Sequence, residues 1–242
     1  MGLGQKSQTN VFKINYASQV PIRLVLNHAF STEKARRLQL SLSKKVICED
    51  RLPEQIKFVG GVDAAYSNGH AIGAVAVLEY STLKVVETKT SFQVVSAPYI
   101  PTLLSFREIP PVVSAINLLS VKPDVFLVDG HGIAHPRRLG FASHLGLVLD
   151  AVTIGVAKSL LCGEIRGKEV NKWNPIMYKG MIVGAAVYTR PGVKPVYIST
   201  GHKISLDTAI EIVKHCIGKY RIPEPLREAH KAAEARKKQE LG

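Results

Sequence analysis

Residues 58–66, FVGGVDAAY, decide how the chain is read, because they form an apolar, β-prone run with a carboxylate set inside it. A lone buried carboxylate costs several kcal/mol unless a partner or a cation compensates, so Asp63 needs a reason to be there. Two similar runs follow, AIGAVAVLEY at 71–80 and LKVVETKTSFQVV at 83–95, separated by the turn signals SNGH and ST. Together the three predict an antiparallel meander. Further on, DVFLVDG at 124–130 is a short apolar run bounded by Pro123 and Gly130, the pattern of a buried strand whose carboxyl end carries Asp129.

Helical patterns surround these runs. Ser31 is placed to cap TEKARRLQLSLSKKVI, where Leu38, Leu42 and Val46 share one face while Lys34, Arg36, Arg37, Lys44 and Lys45 turn to solvent or phosphate. Proline is tolerated in a first helical turn, so a helix is expected to start near Pro110 and Pro111, with Glu108 at or just before it. ASHLGLVLDA and SLDTAIEIVKHCI read as helices, and DAVTIGVAK, MIVGAAVYTR and KPVYIST as strands. The order is that of an α/β protein with a mixed sheet, antiparallel in its first half. PEPLREAHKAAEARKKQE closes the chain as a charged helix expected to fray into a basic tail over 233–242. Residues 1–20 are expected to form a loosely held extension, leaving 21–232 as one domain.

Composition narrows the function. Among 242 residues, 32 Lys and Arg against 19 Asp and Glu give a charge of +13, which suits a polyanionic partner, nucleic acid first. The same excess also serves plain solubility. Cys48, Cys162 and Cys216 make neither a disulfide framework nor a zinc ribbon, which fits a reducing cytoplasm. The longest clean apolar run, 71–78, is far short of the ~20 residues that span a membrane, so no membrane association is expected. Walker-type and G-x-G-x-x-G phosphate loops and a G-x-S-x-G elbow are missing from the sequence.

One strand-end aspartate is ordinarily a turn residue or a helix cap. Two of them in apolar runs, with Glu108 as a third carboxylate, suit a hard cation such as Mg²⁺, which takes one or two carboxylates and completes its shell with water and phosphate. Such a centre activates water and neutralises charge on a phosphodiester. His131 and His135 are four apart, but Gly132 and Pro136 disfavour a helix there, so loop hydrogen bonding is expected of them rather than metal binding. Pro98-Tyr99-Ile100-Pro101 reads as a connector that packs Tyr99 inward or as an apolar wedge for a base stack. Gly130, Gly132 and Gly140 would let the intervening loop approach a planar base.

Taken together, VGGVDAAY, PYIPTLLSFRE, LVDGHGIAHPRRLGFASHLGL, TIGVAKSLLCGE and RIPEPLREAH resemble endonuclease V, a family of deoxyinosine-directed repair nucleases, across about residues 30–232. The resemblance implies an RNase H-like mixed sheet with flanking helices, in which Asp63 and Asp129 converge on one Mg²⁺, with Mn²⁺ as an alternative. It implies that Glu108 completes the metal centre and acts as general base, that His230 stands near the attacking water, and that Lys158 lies close to phosphate. Without it, His230 reads as a solvent-facing helix residue and Lys158 as a strand-end lysine. It makes Pro98, Tyr99, Ile100 and Pro101 the wedge and Gly130, Gly132, His135 and Gly140 the base pocket. The implied substrate is DNA with a deaminated base, cut at the second phosphodiester 3′ to the lesion, with inosine-containing RNA as the alternative and no obligate protein partner. Thr102 departs from the family, whose members commonly carry glycine after YIP. Readings of another class are a phosphotransferase of the actin-like superfamily and a nucleic-acid binder that has lost catalysis.

Overall fold

The computed structural model describes residues 30–95, 97–167 and 173–241, so the expected extension over 1–20 lies outside the described residues. Helix α1 (Thr32–Ser43) starts where expected, with the Ser31 hydroxyl accepting from the Lys34 amide at 3.3 Å. Such a cap is worth about 1 kcal/mol. Lys34, Arg36, Arg37, Lys44 and Lys45 are all exposed along or just beyond this helix.

Strands β1 (Phe58–Ser67), β2 (His70–Glu79) and β3 (Val85–Val94) form the antiparallel meander. Strand β4 (Val125–Asp129) then lies parallel to β1, and β5 (Thr153–Ala157) parallel to β4. Beyond β5 come β6 (Glu164–Ile165), β7 (Trp173–Tyr178), β8 (Met181–Val187) and β9 (Val196–His202). Among the described residues all nine strands form one sheet, in the order β3-β2-β1-β4-β5-β9-β8-β7-β6. The sequence leaves 164–178 unassigned because Pro175, in the middle of β7, lacks an amide for the ladder.

Helices cover both faces. On one side α2 (Ser105–Ile116) and α3 (Phe141–Leu149) bury Ile109, Val112 and Leu145 against Val62, Val75 and Val128. On the other, α4 (Leu206–His215) and α5 (Glu224–Leu241) bury Ile210, Val213 and Leu226 against Val59, Leu127 and Ile154. The helices sit on the sheet through glycine. A Cβ on Gly73 would fall 2.2 Å from the Pro111 carbonyl carbon, and one on Gly61 only 1.9 Å from the Pro225 oxygen.

Two boundaries differ from expectation. Helix α2 begins at Ser105 rather than near Pro110, so both prolines lie inside it and Glu108 falls in its first turn. Burial of most of this helix, and its seat at Gly73, outweigh the lost amide donors. Helix α5 continues past 232 to Leu241, where a fraying tail was expected. Ala233 is fully buried against Ile72 and Ala74, and Arg236–Glu240 and Lys237–Glu234 pairs brace the following turns. No helix among the described residues is long and apolar enough to cross a membrane.

Candidate active site

Parallel pairing of β1 and β4 brings two carboxylates together. Val62 stands opposite Val128, and one residue further along each strand are Asp63 and Asp129. Glu108 arrives from the first turn of α2. Asp63 and Glu108 are each only 8% exposed.

The three carboxylates repel one another. Burial, then the charges of Asp63 and Asp129, drive the Glu108 carboxyl well above the ordinary carboxylate range. Burial and Asp129 likewise raise Asp63, and a hydrogen bond from His230 only partly offsets them. The Glu108 Oε2 atom is buried without a hydrogen-bond partner among the described residues. An orphaned carboxyl oxygen beside two further carboxylates, all disfavouring one another's charge, is the donor chemistry of a hard cation.

The aspartates have stand-in partners. His230 Nδ1 lies 2.8 Å from Asp63 Oδ2, while the Asp63 Oδ1 accepts from the Ala64 amide at 2.8 Å. Lys158, at the end of β5, forms an ion pair with Asp129. With Asp63 ionised, Nδ1 of His230 donates to it, from a side chain that is 56% exposed. The lysine is half exposed, so its pair contributes no more than about 1 kcal/mol and a divalent cation can displace it. Among the described residues, no three His, Cys, Asp or Glu side chains are already gathered tightly enough to enclose an ion. The arrangement fits an open site in which water and substrate complete the shell.

Glu108 and Asp129 line a cleft of about 160 Å³ whose walls also include Tyr99, Gly130, His131 and Gly140. Pro101, Thr102 and His135 line it too, with Gln39, Leu139 and Leu161. Pro98, Ile100, Gly132, Asp63, Lys158 and His230 do not. Ile100 packs instead against Ala35, Leu103 and Phe106. Tyr99 is not packed inward: it is 69% exposed.

The glycines of this loop serve the protein's own backbone. A Cβ on Gly132 would fall 2.0 Å from the Thr200 oxygen, and one on Gly140 2.3 Å from the His131 oxygen. They allow the loop to fold tightly over β9, and Gly130 and Gly140 also face the cleft. Loop hydrogen bonding holds for His135: Nε2 donates to the Thr102 carbonyl at 3.0 Å and Nδ1 accepts from the Arg137 amide at 3.2 Å. Burial lowers His135 and His131 to about 4, so both rings are neutral at pH 7. His131 Nδ1 is buried without a hydrogen-bond partner among the described residues.

Three residues at the site escape sequence reading. Gln39 of α1 is only 1% exposed, and its Nε2 donates to the carbonyls of Thr102 at 2.9 Å and Leu139 at 3.3 Å. Arg137 donates through Nε to Gln39 Oε1 at 2.5 Å and through Nη2 to Thr102 Oγ1 at 2.5 Å. Arg107 lies over the Tyr66 ring, 4.1 Å from its centroid, where burial and Glu108 raise the phenol's ionisation range. The only signal for Gln39 was a polar residue on the otherwise apolar helix face.

A sheet of this order, with one aspartate ending β4, another just past the β1–β4 pairing on the neighbouring parallel strand β1 and a helix-borne glutamate beside them, places the chain in the RNase H-like class. The comparisons narrow the class. The Endonuclease V family model matches residues 40–231, and the chain belongs to that family. Endonuclease V of Trichormus variabilis is 50% identical over 210 residues, which cover 85% of this chain and 95% of that protein. The crystal structure of Endonuclease V from Streptomyces avermitilis matches with a TM-score of 0.83 at 38% identity, covering 89% and 96% of the two chains. Endonuclease V of Ciona intestinalis, in complex with a 23mer DNA containing an inosine followed by a ribo-adenosine, matches at 0.77 and 35% identity, covering 86% and 97%.

Proposed function

We propose that the protein is a Mg²⁺-dependent endonuclease that recognises a deaminated base, chiefly hypoxanthine in DNA, and hydrolyses the second phosphodiester on its 3′ side, leaving 3′-hydroxyl and 5′-phosphate ends. One observation carries this reading: the exposed Tyr99, the buried Glu108 and the partly buried Asp129 line the same cleft. Base recognition and bond cleavage would share one depression in a strongly basic molecule.

Asp63 and Asp129 would hold the ion, with Glu108 beside them and Mn²⁺ as a substitute. Bound there, the ion would neutralise charge on the phosphodiester and lower the pKa of a ligated water. Glu108, with its free Oε2 and raised proton affinity, is suited to take a proton from the attacking water. Lys158, once released from Asp129, has the exposure to turn toward phosphate. His230 keeps Asp63 oriented through Nδ1. Pro98 to Pro101 would enter the base stack with Tyr99 foremost, while Gly130, Gly132, His135 and Gly140 shape the pocket for the flipped base.

The test is a cleavage assay on a strand carrying a single inosine, with the cut position mapped. Mg²⁺-dependent cutting at the second 3′ bond, lost on chelation and restored by Mg²⁺, is expected. A cut elsewhere would overturn the assignment; ATP turnover without nucleic acid would support the phosphotransferase reading instead, and inosine binding with no cutting the inactive binder. Because the Ciona protein was captured on inosine followed by a ribo-adenosine, inosine-containing RNA is the second reading. Matched DNA and RNA substrates separate the two. Tyr99→Ala should lower the preference for inosine about tenfold or more, since base–aromatic stacking is worth ~1–3 kcal/mol. Its affinity for an inosine-free strand should change little, and competition binding on the two strands measures both.

A further inference from the structure

We propose that Thr102, Arg137 and Gln39 form a latch that fixes the 100–103 turn, and with it the exposed Tyr99 just before it, before nucleic acid arrives; this rests on reading Tyr99 as the wedge. Thr102 has φ +69°, a left-handed conformation that a β-branched side chain strongly resists. It persists because the surroundings over-determine it. Three donors converge on its carbonyl: Gln39 Nε2 at 2.9 Å, His135 Nε2 at 3.0 Å and Arg137 Nη2 at 3.1 Å. A carbonyl offers two lone pairs, so the three share it. The same guanidinium nitrogen of Arg137 reaches the Thr102 hydroxyl at 2.5 Å, a contact that only a hydroxyl-bearing residue at 102 can make.

The latch spans three separate parts of the chain. Gln39 comes from α1, Thr102 from the turn before α2, and Arg137 from the loop after β4. Gln39 closes the triangle, accepting from Arg137 Nε and donating to the Leu139 carbonyl. The turn itself is closed by the Leu103 amide donating to the Ile100 carbonyl at 2.9 Å. Next to this braced segment, Tyr99 is left largely in solvent. A strained conformation held by charge-assisted hydrogen bonds beside an exposed aromatic is a preorganised contact: the ordering cost is met on folding and not again on binding. Thr102, Arg137 and Gln39 are therefore positioning residues that act through Tyr99.

Three variants test this. Thr102→Val removes the hydroxyl at nearly constant shape, Thr102→Ser keeps it, and Thr102→Gly removes both the hydroxyl and the strain. Amide hydrogen exchange of residues 100–104 is measured without nucleic acid, and the inosine preference is measured by competition binding against an inosine-free strand. Exchange should quicken about tenfold in Thr102→Val and Thr102→Gly and stay at the wild-type rate in Thr102→Ser, reflecting one lost charge-assisted bond. Inosine preference should fall about tenfold in the first two variants, with affinity for the inosine-free strand unchanged. In a Tyr99→Ala background, Thr102→Val should cause no further loss. Equal exchange in wild type and Thr102→Gly, a variant with no strain to unfold it, would overturn the latch. So would losses that multiply in the double variant. Exchange differences as expected in a wild-type protein with no preference for inosine would instead overturn the reading of Tyr99 as the wedge.

Discussion

Asp129→Ala is expected to lower Mg²⁺-dependent cleavage by about a hundred- to a thousandfold or more, the scale for removing a group that stabilises transition-state charge. The fold should survive. Asp129 ends β4 and its partner Lys158 is half exposed, so neither loss leaves a charge stranded in the core. Removal should even relieve the site: Asp129 is one of the charges that raise Asp63 and Glu108, so less repulsion remains in the variant. Without metal its thermal midpoint should equal or slightly exceed that of wild type, as expected where function is built from mutually repelling groups. Mg²⁺ should raise the wild-type midpoint by binding the native state and leave the variant's nearly unmoved. Single-turnover cleavage and thermal melts with and without Mg²⁺ measure these effects. A folded variant with full activity would remove Asp129 from the metal centre.

The second large effect falls on stability. In Gly61→Ala the new methyl would meet Pro225 main-chain atoms at 1.9 and 2.1 Å and the Leu226 nitrogen at 2.7 Å. Backbone cannot rotate away as a side chain can, so α5 must lift from β1. Overpacking costs about 1–3 kcal/mol, and a main-chain obstacle puts this site at the upper end. That is a large share of the ~5–15 kcal/mol that holds a domain folded. Since α5 also carries His230, the displacement should loosen its contact with Asp63 and lower cleavage in the molecules that remain folded. Denaturant melts should show a lower midpoint at unchanged slope. An unchanged midpoint would mean that the helix seat is not rigid.

Much of this was legible in the residues because the signals were local. Asp63 and Asp129 stood out as charges inside apolar runs, and the meander announced itself by turn residues between β-prone segments. Their convergence needed the parallel pairing of β1 and β4, for which the family resemblance supplied the expectation and the register the geometry. The start of α2 was misplaced because proline is a strong local signal, whereas burial against Gly73 is a tertiary one. Gln39 and Arg137 were invisible for the same reason. Ninety-eight residues separate them in sequence, and nothing in either neighbourhood marks the other. The glycines at 132 and 140 were legible as special positions, but what approaches their Cα atoms is largely the protein's own chain.

Tyr99 and Glu108 sit on one short, uninterrupted stretch, in which Tyr99 precedes a closed turn at 100–103 that runs directly into the first turn of a helix seated against Gly73. On the proposed reading, reader and cutter would be two marks on the same ruler. The offset between the recognised base and the broken bond would then be a dimension of the protein's covalent chain, independent of the neighbouring nucleotides. Changing the flanking sequence should alter how fast a strand is cut but not where.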